Sequence, residues 1–114
     1  MTTAPQTLIA ANMSEKQLSQ NVMDMARSLG WMAYRTWNSQ RSPAGYPDLT
    51  LIHADTGRVI WAELKTMTGR VSPAQIEWLG ALREVARDRG LEVHEWRPTH
   101  WLDGTIENVL RGEA

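Results

Sequence analysis

The chain has 114 residues, 42% of them hydrophobic and 22% charged, which makes one soluble domain able to bury its own core and leaves no room for a long disordered tract. A net charge of −1 excludes a generically basic, DNA-coating protein, so any nucleic-acid contact must come from local patches. There is no cysteine, which rules out disulfides, thiolate zinc sites and cysteine nucleophiles, and no apolar run nears the ~20 residues of a membrane span.

Residues 1–12 carry no periodicity and are expected to form a flexible arm ahead of a single domain over 13–114. Ser14 then opens a helix, with Gln17 three residues on completing a capping box. Leu18, Val22, Met25 and Leu29 follow at helical spacing, and Gly30 stops it. Trp31 to Trp37 reads as an aromatic-rich strand. Asn38 to Pro47, with two Pro and one Gly, reads as a loop. Asp48–His53 and Arg58–Lys65 read as two strands of a hairpin about the Asp55-Thr56-Gly57 turn. A loop over 66–71 leads to a second capped helix. Ser72 is its N-cap, Pro73 its first residue and Gln75 the capping-box partner; it is expected to run to about Arg89, before Gly90. Leu91–Trp96 reads as a fourth strand, and Pro98 is expected to end regular structure until a short closing helix over Thr105–Leu110. The order αβββαβ predicts an α/β fold, a mixed sheet flanked by helices, with a right-handed crossover into the last strand.

Several polar residues break their local pattern. Glu15 lies at the edge of the apolar stripe of the first helix, although an acid in a first turn also suits the helix dipole. Asp48 begins a strand, where a turn-closing role is the plain reading. Glu63 and Lys65 stand two apart, so both project from one face beside Trp61, while Ile60, Ala62 and Leu64 face the core. Hairpin pairing would bring Asp48 near Glu63. Two carboxylates so placed repel, and a divalent cation would offset that cost. Gln75 falls within the apolar stripe of the second helix, where either the cap or a site above the sheet would account for it.

Together these residues resemble a known pattern. Gly45-Tyr46-Pro47-Asp48-Leu49, followed by Glu63-Leu64-Lys65, is similar to the PD-(D/E)xK nuclease signature. With Glu15 on a preceding helix and Gln75 at the head of the following one, the chain resembles the VRR-NUC branch, the virus-type replication-repair nucleases, over Ser14 to about Pro98. The resemblance implies a restriction-endonuclease-like αβββαβ fold and metal-dependent hydrolysis of phosphodiester bonds. It implies that Asp48 and Glu63 ligate Mg²⁺ or Mn²⁺, with Glu15 as a further acid acting through water and the Leu64 backbone carbonyl as another ligand. Lys65 would orient the attacking water and stabilise charge on the phosphate, and Gln75 would position water, metal or phosphate. The residue types suit that chemistry, because hard cations take oxygen ligands and a neighbouring ammonium adds charge without competing for coordination.

The substrate is expected to be DNA. No acid occurs between Met25 and Pro47, which hold Arg35 and Arg41, nor between Leu64 and Ile76, which hold Lys65 and Arg70. Arg35, Arg41 and Arg70 are therefore the candidate phosphate contacts. His53, His94 and His100 have no ligand spacing. The leading reading is a metal-dependent endonuclease selective for branched DNA such as four-way junctions, in phage or mobile-element replication and recombination. A cytoplasmic setting, in a bacterial or phage-infected cell, accords with the missing signal peptide. The alternatives are a non-catalytic DNA-binding or assembly module on the same fold and a metalloenzyme for small molecules. Two coordinated cuts at a junction call for two sites, so a symmetric homodimer is expected. Of six tryptophans, Trp31 and Trp78 are expected in the core, and Trp37, Trp96 and Trp101 are candidates for the dimer contact.

Overall fold

The computed structural model describes residues 4–37, 44–87 and 90–113. Nine elements follow in order: α1 (Ala4–Asn12), α2 (Glu15–Ser28), β1 (Met32–Arg35), β2 (Leu49–His53), β3 (Arg58–Leu64), α3 (Pro73–Val85), β4 (Leu91–Trp96), α4 (Pro98–Leu102) and α5 (Thr105–Arg111). The strands form one sheet in the order β1-β2-β3-β4. The first three make an antiparallel meander, and β4 runs parallel to β3 after the α3 crossover. The expected mixed α/β architecture is therefore present.

Alternation along the strands divides the sheet into two faces. Leu49, Leu51, Ile60, Ala62 and Leu64 point to one side and are wholly buried with Leu18, Val22 and Ala26 of α2 and Ile106 and Leu110 of α5. Thr50 and Trp61, paired across β2 and β3, point to the other side. There α3 lies on β4 with Leu79 buried, and Trp78 meets Tyr46 edge-on at 5.1 Å. Both long helices start as their sequences dictate: the Ser14 and Ser72 hydroxyls each accept the amide three residues on, and Gln17 and Gln75 each accept the cap amide in return.

The structure departs from the sequence reading in several places. Residues 4–12 form a helix instead of a flexible arm; α1 packs on α4 and buries Ala10. The first strand spans Met32–Arg35 instead of Trp31 to Trp37; Trp31 just before it lies in the core as expected, its indole N–H donating to the Leu110 carbonyl at 3.0 Å. The second long helix ends at Val85, short of the expected Arg89, which lies outside the described residues. Pro98 begins a helix where irregular chain was expected, because its fixed φ suits a first helical position. Trp96 is 2% exposed and belongs to the core, so it is no interface residue. Trp78 is only half-buried. No helix among the described residues is long and apolar enough to cross a membrane.

Candidate active site

The β2–β3 register carries Leu49 opposite Ala62, so the residues one step further out are Asp48 and Glu63. They meet at the end of the sheet where β2 begins and β3 finishes. The Asp48 carboxylate accepts the Leu64 amide at 2.8 Å, which ties the start of one strand to the end of the next. The loop leading to Asp48 is fixed from two sides. Thr36, just past β1, donates its amide to the Asp48 carbonyl at 2.8 Å and its hydroxyl to the Pro47 carbonyl at 2.6 Å. On the other side Gly45 lies against the first turn of α3, where an added Cβ would sit 2.5 Å from the Ala74 carbonyl. Its φ of +94° is a conformation that also favours glycine. The Gly-Tyr-Pro-Asp string is thus a mechanical seat: glycine for the approach to α3, Tyr46 receiving the Trp61 indole N–H at 3.1 Å, and Asp48 presented at the sheet end.

Glu63 is fully buried, and as a carboxylate it has no donor for either oxygen. An ionised acid in that position is costly. Burial, and then the Asp48 carboxyl beside it, push its pKa up to about 9 from 4.5; Lys65 pulls the other way and Glu15 adds to the rise. Without a cation the pair is therefore relieved by one proton, which Glu63 donates towards Asp48. A divalent cation would answer the same need, and two acids with two orphaned oxygens are a donor set of the right chemistry for one. Among the described residues no group of three or more acids or histidines is gathered tightly enough to hold an ion by itself. Protein ligands would be few, and water would complete the shell.

Glu15, at the start of α2, is exposed and shares an open cleft of about 420 Å³ with Arg35, Thr36, Trp37 and Asp48. Lys65 is 8% exposed, makes no ion pair among the described residues, and has its stem near the position a Gly69 Cβ would take. Leu64 lies between Glu63 and Lys65 with its amide on Asp48. Of the cations expected to meet phosphate, Arg35 lines the cleft and Arg70 is exposed on the loop after Lys65. Arg41 lies outside the described residues.

Gln75 is not among the residues lining the cleft, and its Oε1 accepts the Ser72 amide at 2.7 Å, so it caps α3. The histidines are all used locally. His53 bonds the Leu29 carbonyl and Thr56, His94 bonds Glu92, and His100 accepts the Arg97 amide. Three contributors escaped the sequence reading. Thr36 and Tyr46 could have been noticed from their places beside the Pro47-Asp48 step. Arg97 left no such signal; it donates to the Thr66 carbonyl at 2.6 Å and the Gly69 carbonyl at 2.8 Å, and also to Glu95 at 3.2 Å. It thereby clamps the loop that follows Lys65. Glu95, beside Glu63 in the β3–β4 register, is held by that same guanidinium.

Comparison with known proteins bears on the family and the fold. The profile of the VRR-NUC domain family matches residues 1–95. A solved structure described as a VRR_NUC domain superposes with a TM-score of 0.61 at 23% identity, over 83% of this chain and 97% of that one, which shows a shared fold. No curated protein matches the sequence. VRR-NUC domains are nuclease domains, and on the family match this chain belongs to the VRR-NUC domain family.

Proposed function

We propose that the chain is a Mg²⁺- or Mn²⁺-dependent endodeoxyribonuclease that hydrolyses phosphodiester bonds in branched DNA. The observation that carries the reading is the buried Glu63, its oxygens orphaned, beside Asp48 with Lys65 two residues away. A purely structural core would gain by replacing such a group with an apolar one. Asp48 and Glu63 would hold the ion, with Glu15 contributing through water from α2 and Leu64 through its carbonyl. Bound there, the cation supplies a Lewis acid that offsets the charge gathering on the phosphate oxygens. Lys65 orients the attacking water and adds a fixed positive charge beside that phosphate. Arg35 and Arg70 neutralise the backbone on either side and so set the strand over the acids. Gln75 completes the cap of α3, whose first turn lies against the Gly45 seat.

Resolving a four-way junction needs paired cuts, and a two-fold dimer would supply two sites. With Trp96 in the core, the support for a second copy is a different surface. The α3-side face of β1 and β2 is left uncovered: Met32 is 72%, Tyr34 59% and Ile52 43% exposed. The surface is apolar and uncharged, so pairing it with a second copy would bring no like charges together. Sedimentation as a monomer at micromolar concentration would remove the dimer and leave the nuclease.

The direct test is incubation with plasmid and with a four-way junction, in Mg²⁺, in Mn²⁺ and in chelator, for the native chain and for Asp48→Ala and Glu63→Ala. Cleavage only with metal, lost in both variants while they remain folded, is the expected result. Binding without cleavage in every metal would favour the non-catalytic module.

A further inference from the structure

We propose that Trp37 is a stacking platform for an unstacked nucleobase next to the scissile phosphate, and that it gives the enzyme its preference for interrupted DNA. The proposal rests on the nuclease reading and extends it to a substrate feature. Trp37 is 74% exposed, an unusual position for the largest apolar side chain. It stands in the cleft with Arg35, Glu15 and Asp48. Its base is fixed, because the preceding Thr36 is bonded through its amide to the Asp48 carbonyl and through its hydroxyl to the Pro47 carbonyl. The indole is therefore carried one residue from the pin that also holds the acid.

Arg35 and Trp37, two apart along the chain, both line this cleft, so a cation and an aromatic plane stand together over the acids. That is the combination that holds single-stranded nucleic acid: the cation takes the phosphate and the ring takes the base. Within a continuous duplex every base face is already covered by its neighbours. Unstacked bases come free at single-stranded tails, flaps and branch points. Phosphate contacts alone are the same on all of these, so they cannot distinguish them. An aromatic plane beside the scissile phosphate can, since a base face is open to it only where the stack is broken.

The test uses the full chain in chelator, so that nothing is cut. Affinity is compared for a blunt duplex and for the same duplex carrying a single-stranded tail. One stacked base is worth roughly 5- to 150-fold in affinity, so Trp37→Ala should cut the tailed-over-blunt ratio by roughly five-fold or more while Trp37→Phe keeps most of it. A 2-aminopurine at the first unpaired position should be quenched by the native chain and by Trp37→Phe, and not by Trp37→Ala. Equal loss on both DNAs, or 2-aminopurine quenching by Trp37→Ala as strong as that by the native chain, would overturn the assignment. So would a change in sedimenting mass in Trp37→Ala, which would place the ring in a contact between two copies. Metal-dependent cleavage by the native chain is scored separately, so failure of the nuclease reading would be seen as such.

Discussion

Glu63 gives the sharpest quantitative test, because its protonation is tied to folding. Its carboxyl keeps a proton up to about pH 9 in the native protein, whereas the unfolded chain releases it near the ordinary 4.5. Between those values the native state binds more protons than the unfolded state, so stability falls as pH rises. The slope for one such proton is about 1.4 kcal/mol per pH unit, so by pH 7 the group has cost about 3 kcal/mol relative to its state below pH 4.5. Glu63→Gln keeps the shape, holds no titratable proton, and brings an amide that donates to Asp48. In chelator, the variant should match or trail the native protein at pH 5 and exceed it at pH 8. A difference of about 3 kcal/mol in a chain of this size corresponds to a Tm gap on the order of 10 °C. The assay is thermal unfolding across pH 5 to 9 with chelator, repeated in millimolar Mg²⁺ or Mn²⁺. Metal should raise the native Tm most at high pH, where the proton is easiest to displace, and leave the variant unmoved. Parallel curves for the two proteins in chelator would refute the reasoning, because they would mean that Glu63 is ionised in the native state or shielded by groups other than those described.

Lys65→Ala should lose roughly 10²- to 10³-fold in turnover with metal affinity nearly intact, since an ammonium is no ligand; calorimetry showing metal binding lost as in Glu63→Ala would contradict the role. Gly45→Ala should lose about 2 kcal/mol or more in chemical denaturation, because a Cβ there meets the Ala74 carbonyl at 2.5 Å on a backbone with φ +94°. An unchanged midpoint would mean the loop seat shifts at no cost. Gln75→Ala should lose about 0.5–1 kcal/mol of stability, as half of a capping box, with a modest effect on cleavage. Abolished turnover at unchanged stability would instead place Gln75 in the working site.

The parts of this molecule that were legible in the sequence are those specified by local periodicity. Glu63 and Lys65 were visible because period two sets them on one face against a run of core residues, and Asp48 because a hairpin turn fixes which residues lie across from β3. The two long helices announced their starts with Ser14 and Ser72. What was hidden depends on tertiary partners. Helix α1 has no charged face or apolar stripe to mark it, and it is held by packing on α4. Trp96 at a strand end could equally face solvent or core, and α5, the next element but one, decides the matter by contributing Ile106 and Leu110 to the same cluster. Gln75 satisfied two patterns at once, and the structure displays the capping bonds. Arg97 bonds backbone carbonyls, which every residue possesses, so its partners leave no trace in composition or spacing.

The Arg97 clamp and the packing of α5 also define how far the working domain extends. The family match stops at residue 95, yet the next residue, Trp96, fills the core, and the one after it ties down the loop beyond Lys65. Ile106 is 0% and Leu110 3% exposed, and Leu110 receives the buried indole of Trp31. A fragment cut at the edge of the shared region would lose a core tryptophan and two aliphatic anchors. Each large-to-nothing deletion of that kind removes several kcal/mol from a total of about 5–15 kcal/mol. Such a fragment would retain all five signature residues and have no rigid frame to hold them.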